Sequence, residues 1–203
     1  MAIDVLVFDL GKVIFDFDLE KLAVGFHRSS KKSKKEIFTL LSDHIDLFAD
    51  YEKGLIGSES FYKQVSELMN METDYQTFCG IWNDIFTPVK GMDSLIKRLS
   101  ASNNLAILSN TNDLHFEYLQ NKYPDFFSYF TNLHLSYKMG SRKPDKEIYE
   151  HVIDFYGIDP ARIFFTDDLE HNIIPAREMG INAYRFDGPE MLKKNLNSLG
   201  VNF

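Results

Sequence analysis

Residues 5–18 read VLVFDLGKVIFDFD, and the fold turns on how that stretch is parsed. From Ile3 to Phe8 the chain is apolar and β-rich on both faces, as expected of a strand held between two layers of helices. The run stops at Asp9. A carboxylate directly behind a buried strand is costly unless it has partners, so Asp9 calls for a reason, and Gly11 stands two residues further on. Similar short runs recur at Leu105–Leu108 and Ile163–Phe165, with a weaker one at Ala183–Phe186, and each of the first three leads into a polar cluster. Between them lie segments such as Met92–Leu99 and Ile148–Phe155, whose apolar residues fall at three-and-four spacing. Strands alternating with helices predict an α/β fold with a doubly wound parallel sheet.

The stretch from about Leu19 to Phe86 breaks this alternation, because it carries helix patterns and no convincing strand. Ser33-Lys34-Lys35-Glu36 and Thr73-Asp74-Tyr75-Gln76 both read as capping boxes, in which side chains satisfy the free amides of a helix start. Gly54 and Gly57 punctuate the middle, and TPVKGM (Thr87–Met92) reads as the return linker. The expected organisation is a core of residues 1–15 and 90–203, with residues 16–89 forming an all-helical cap that acts as a lid. Lys31, Lys32, Lys34 and Lys35 read first as a solvated helix end; a second reading has them lend the lid positive potential toward an anion.

Bulk properties narrow the partners. The chain has 203 residues, 44% of them hydrophobic, and a formal net charge of −8. It has length and apolar content for a sizeable core, while its surface charge disfavours nucleic acid and anionic membrane. Cys79 is the single cysteine, so no internal disulfide can form, and it reads as a small buried or half-buried apolar residue in a reducing compartment. The opening Met-Ala-Ile-Asp lacks a basic leader, and its apolar run is far shorter than the ~20 residues of a membrane span. The expectation is a soluble cytoplasmic protein.

In open α/β sheets ligands bind beyond the carboxyl ends of the strands. There the sequence offers Asp9-Leu10-Gly11-Lys12, Ser109-Asn110-Thr111-Asn112, Thr166-Asp167-Asp168 with Asn172 one turn later, and Lys143-Pro144-Asp145 ahead of a long helix. Taken singly, each has a plain structural reading: Asp168 as a helix cap, Lys143 in a surface ion pair, Ser109 in a turn. Placed together, carboxylates at short range raise one another's pKa and call for a cation. A hard divalent ion with oxygen ligands, Mg2+, resolves that conflict. Between two like unit charges 4 Å apart the repulsion is about 4 kcal/mol at an effective dielectric near 20. With Mg2+ and a lysine in place an Asp can attack a phosphoryl group, held by hydroxyl and amide donors.

These segments resemble the four ordered motifs of the haloacid dehalogenase superfamily: Asp9-Leu-Gly-Lys-Val, Ser109-Asn-Thr-Asn, Arg142-Lys-Pro-Asp and Phe164-Phe-Thr-Asp-Asp-Leu-Glu-His-Asn. The resemblance spans nearly the whole chain, and the helical insert matches the small cap found after the first motif. LSNTN and MGSRKPDKEIY look most like the phosphatase branch that includes α-glucose-1-phosphate phosphatase and the N-terminal phosphatase domain of soluble epoxide hydrolase. It implies a Rossmann-like core and a Mg2+-dependent phosphomonoester hydrolase acting on a small phosphorylated metabolite, with sugar phosphates among the candidates. It further implies that Asp9 is the nucleophile and a metal ligand, Gly11 a metal ligand through its carbonyl, and Asp168 a direct ligand. Ser109 and the amide of Asn110 would grip the phosphoryl group, Lys143 would neutralise Asp9 and the phosphate, and Asp167 and Asn172 would orient the surroundings of the metal.

Gly11 departs from the family pattern, which usually has a second Asp there as general acid and base. Glycine keeps its carbonyl but cannot move a proton, a function commonly worth about 10²–10⁴-fold. Three readings follow: a substrate with an easily expelled leaving group, such as an anomeric sugar phosphate; a substitute acid from Asp16 or Asp18; or a weak or lost catalyst. The same Gly occurs in the sugar-phosphatase branch, which favours activity, and Asp18 reads better as the N-cap ahead of Leu19. Alternatives to a phosphatase are a 2-haloacid dehalogenase, a phosphomutase and a non-catalytic binding protein of the same fold. The Asp167-Asp168 pair argues against the dehalogenase, which needs no metal. The six histidines form no metal-ligand pattern, His171 should turn away from Asp168, and Trp82 should pack in the insert's core, with one or two of its aromatics lining a cavity.

Overall fold

The computed structural model describes residues 2–203. The chain runs through β1 (Val5–Phe8), β2 (Phe15–Phe17), α1 (Leu19–Ser29), α2 (Lys34–Asp43), α3 (Ile45–Glu52), α4 (Ser58–Met69), α5 (Tyr75–Asn83) and β3 (Phe86–Pro88). It continues with α6 (Met92–Ser100), β4 (Asn104–Ser109), α7 (Asp113–Lys122), α8 (Pro124–Phe127), β5 (Asn132–Leu135) and α9 (Ser136–Met139). Last come α10 (Lys146–Tyr156), β6 (Ile163–Asp167), α11 (Glu170–Glu178), β7 (Asn182–Arg185) and α12 (Pro189–Ser198).

Five strands make one parallel sheet in the order β5-β4-β1-β6-β7. β1 is its centre: Val5 is in register with Asn104 and Ile163, and Phe8 with Ile107 and Thr166. The two-residue period of a strand divides its side chains between two cores. Leu6 and Phe8, with Leu105, Ile107 and Phe164, pack against α6, α7 and α12. Val5 and Val7, with Ala106, Leu108 and Phe165, pack against α10 and α11. A large apolar side chain buried in this way contributes about 1.5–3 kcal/mol, so burial on both faces locks the register that aligns the strand ends. This is the doubly wound, Rossmann-like α/β core expected from the sequence.

The helices α1–α5 gather around a separate aromatic cluster. Phe26 stacks on Phe78 with centroids 5.9 Å apart, and Phe61 meets Trp82 edge-on at 4.9 Å. Ser33 and Glu36 form the expected capping box at α2. The second expected box is corrected: α5 is capped by Asp74, one residue later than Thr73, whose carboxylate accepts from Thr77 N at 2.7 Å. Cys79 is free and half-buried, and burial pushes its thiol up. The insert leaves and rejoins the core through an antiparallel ladder of β2 and β3, with Phe15 opposite Pro88 and Phe17 opposite Phe86. The return linker read at Thr87–Met92 therefore holds part of a strand and the first residue of α6. Among the described residues no helix is long and apolar enough to cross a membrane.

Candidate active site

Aligned strand ends bring the polar clusters together. Asp9 leaves β1 with its N–H on Thr166 O at 2.9 Å. Lys143 lies between the strand ends, 1% exposed rather than in a surface ion pair. Its ammonium has three donors and three acceptors: Leu108 O at 2.9 Å, Asp167 Oδ2 at 2.6 Å and Asp9 Oδ1 at 2.8 Å. Its backbone is pinned in turn, because Lys143 N donates to Asn110 Oδ1 and Asn110 Nδ2 donates to Lys143 O, both at 2.8 Å. The Asn110 side chain thus fastens the lysine loop to the end of β4.

Asp167 is fully buried and saturated. Asn172 Nδ2 donates to both of its oxygens at 3.0 Å, Leu169 N donates at 2.9 Å, and Lys143 takes the remaining lone pair. Ligand oxygens of Asp9, Asp167 and Asp168 all lie within 4.8 Å of one another. Three carboxylates thus meet one ammonium, an arrangement short of positive charge. Burial pushes the Asp9 carboxyl up to about 7 against the pull of Lys143, with Asp167 adding to the rise. Burial and then Asp167 also raise Asp168. Burial would lower Lys143, but Asp9 and Asp167 outweigh it and hold the ammonium above its ordinary value. An all-oxygen set with excess negative charge suits a hard divalent cation.

Beside these groups lies a cavity of about 190 Å³. Gly11, Ser109 and Asn110 line it from the core, and Leu22, Phe48 and Trp82 line it from the insert. Ser109 is buried, and its hydroxyl makes only a long 3.4 Å contact with Asn110 O. Side chains of α3, the loop after it and the first residue of α4 fasten the insert over the site. Tyr51 donates to Asp113 at 2.6 Å, Ser58 also bonds Asp113, Glu52 pairs with Arg142 at 3.0 Å and Lys53 with Asp145 at 2.9 Å. Gly54 is required there: its φ is +69°, and a Cβ would stand 2.2 Å from Tyr137 O.

The structure therefore gathers Asp9, Gly11, Ser109, Asn110, Lys143, Asp167, Asp168 and Asn172 at one sheet edge. It also separates Asp16 and Asp18 from the cavity. Asp18 caps α1, accepting from Glu20 N at 2.9 Å and Lys21 N at 3.1 Å, and Asp16 is exposed and bonded to Lys12. His171 is exposed. Three titratable cavity residues had no signal in the sequence: Tyr51, Glu52 and His115. Their relevance depends on which way a helix faces, and no local pattern encodes that.

His115 stacks on Trp82 with centroids 4.8 Å apart. Its Nε2–H donates to Trp82 O at 3.1 Å, and Nδ1 accepts from Asn112 Nδ2 at 3.2 Å. Burial pushes its pKa down to about 4. Between pH 6.5 and 4 the unfolded chain then binds a proton that the folded chain refuses, so stability falls as pH drops through that window. From pH 7 to 5 this histidine alone is expected to cost about 2 kcal/mol. Urea unfolding of His115→Gln beside the parent should show a loss smaller by that amount; equal losses would mean that His115 titrates freely.

A family model for haloacid dehalogenase-like hydrolases matches residues 3–180, and the chain belongs to that family. D-ribitol-5-phosphate phosphatase of Bacteroides thetaiotaomicron is 28% identical over 193 residues, covering 89% of this chain and 90% of that protein. Flavin mononucleotide hydrolase 1 of Arabidopsis thaliana is 27% identical over 160 residues, covering 78% of this chain and 64% of that longer protein. Among solved structures, the haloacid dehalogenase family enzyme BT-2542 of B. thetaiotaomicron, in complex with magnesium and inorganic phosphate, superposes with a TM-score of 0.80 at 29% identity. That match covers 91% of this chain and 94% of the other.

Proposed function

We propose that this chain is a Mg2+-dependent phosphomonoester hydrolase that acts on a small phosphorylated metabolite through an aspartyl-phosphate on Asp9. The observation that carries the reading is the cluster of Asp9, Asp167 and Asp168 around the buried Lys143, beside the cavity lined by Ser109 and Asn110. The phosphatases among its relatives, and the magnesium and phosphate bound by BT-2542, support it.

Asp9, Asp168 and the carbonyl of Gly11 would hold Mg2+, and the donor chemistry fits, since the carboxylates exceed the positive charge present. Bound there, the ion would offset carboxylate charge and withdraw electrons from the phosphoryl group. The chain's own residues do the rest. An Asp9 oxygen attacks phosphorus, while Lys143 lowers the repulsion between carboxylate and phosphate. The Ser109 hydroxyl and the Asn110 N–H hold phosphoryl oxygens, as phosphoryl transfer depends largely on positioning and charge. Asp167, held by Asn172 and Leu169 N, orients Lys143. Residues 16–89 act as the cap, excluding water when seated on the core. The reading includes the cytoplasmic setting expected from the single cysteine.

A dehalogenase needs no metal, so the excess of carboxylates disfavours that alternative. The test is hydrolysis of sugar phosphates, nucleotides and p-nitrophenyl phosphate with Mg2+ and then with excess EDTA. Turnover should fall at least ~100-fold on chelation and return with Mg2+. EDTA-resistant turnover would overturn the metal assignment, and no hydrolysis of any ester would favour a non-catalytic protein.

A further inference from the structure

Gly11 leaves the proposed reaction without a proton donor for the departing oxygen, and the space beside it is already taken. A Cβ built on Gly11 would lie 3.2 Å from Phe17 Cε1, so an aromatic edge stands where a side chain would project. A side chain that protonates the leaving oxygen would have to stand on another wall. The cavity lining contains three titratable side chains: Tyr51, Glu52 and His115. Tyr51 is committed to Asp113 at 2.6 Å, and burial together with Asp113 holds its phenol far above the ordinary range. His115 is neutral with both nitrogens engaged. Glu52 is the lining's carboxylate, and its ion pair with Arg142 runs through Oε2 at 3.0 Å.

We propose that Glu52, at the last turn of α3, is the acid that protonates the leaving oxygen and the base that then activates water. The proposal rests on the phosphatase reading above. One contact holds the carboxyl itself, and two more hold the backbone beside it. Arg142 directly precedes Lys143, whose ammonium holds Asp9 at 2.8 Å, so Glu52 is anchored to the loop that positions the nucleophile. Lys53 pairs with Asp145 on the far side of that lysine. Gly54 lets the chain pass against Tyr137 O, which keeps the end of α3 close to the core. Burial raises the Glu52 carboxyl, and the charges opposing that rise are Arg142 first and Lys143 second. Burial thus works against the charged form, which is the direction a proton donor needs.

The step balances. As the Asp9 oxygen bonds phosphorus, the P–O bond to the leaving group breaks, and the departing oxygen keeps the electron pair and takes the Glu52 proton. Water then attacks the aspartyl-phosphate and gives a proton to the Glu52 carboxylate. The P–O bond to Asp9 breaks, releasing inorganic phosphate and restoring both side chains.

The test compares Glu52→Gln with the parent, both Mg2+-loaded, on an alkyl phosphate and on p-nitrophenyl phosphate. The quantity read is kcat/KM, which reports steps through leaving-group departure. The alkyl ester should lose about 10²-fold or more. The nitrophenyl ester, whose leaving group departs unaided, should lose less than about threefold by the same reasoning. The alkaline limb of the alkyl-ester pH profile should vanish in Glu52→Gln. Arg142→Met should move that limb to higher pH, because removing the guanidinium raises the carboxyl further. Equal losses on both esters, no loss on either, or a limb unmoved in Arg142→Met would overturn the role of Glu52 while leaving the phosphatase reading intact. A parent chain inert toward both esters would overturn that reading and this proposal together.

Discussion

Asp9→Asn is expected to lower kcat for Mg2+-dependent phosphomonoester hydrolysis by ~10³-fold or more, since deleting a covalent nucleophile removes the reaction path itself. The fold should stay intact. Asn is isosteric, the backbone N–H of residue 9 keeps its bond to Thr166 O, and Lys143 keeps Asp167 and Leu108 O. Stability at neutral pH should change little, because two effects oppose each other. The variant gives up an ion pair at 2.8 Å, but it also removes a carboxylate that burial disfavours in its charged form. Steady-state turnover and a thermal melt on one preparation check both halves. Acid quench of the parent during turnover should trap phosphate on the chain, and the variant should trap none. A variant turning over within tenfold of the parent would remove Asp9 from the mechanism.

The same residue shows why the sequence was informative where it was. β1, β4 and β6 are buried on both faces, so their apolar runs stand out without any knowledge of the partner strands. Each ends in the residues that matter, and parallel register then carries Asp9, Ser109 and Asp167 to one edge. β5 escaped notice for the opposite reason. It is a short edge strand, Asn132–Leu135, half-covered at its first two residues, and its pairing with β4 makes it a strand. β2 and β3 are three residues each, and neither has a signal apart from the other. Thr73 and Asp74 are both competent caps in adjacent positions, and only backbone geometry chooses Asp74. The cavity wall was least legible of all. Glu52 carries no functional signal in the sequence, and its half-buried pairing with Arg142 exists only once α3 rests on the loop that carries Lys143.

Lys143→Met should be the most destabilising single change at the site. Methionine fills much of the same volume, so the loss is electrical rather than steric. Asp9 and Asp167 would face each other with Asp168 nearby and no cation between them. Removing one partner from a buried ion pair costs about 3–5 kcal/mol, because the remaining charge stays desolvated. Leu108 O would also lose its donor. The pH dependence has a definite sign. Without the ammonium, the folded-state pKa of Asp9 rises further above its unfolded value, so the folded chain binds more protons than the unfolded one and stability increases as pH falls from 7 toward 5. Mg2+ should substitute in part, raising the melting temperature of the variant more than that of the parent, since the ion meets more unbalanced charge. Turnover should stay low even with Mg2+, because the phosphate and Asp9 would lose the charge that screens them at the moment of attack. Denaturant unfolding in EDTA and in Mg2+ at two pH values checks each step. A variant as stable as the parent in EDTA would show that the three carboxylates do not depend on Lys143 for their neutralisation.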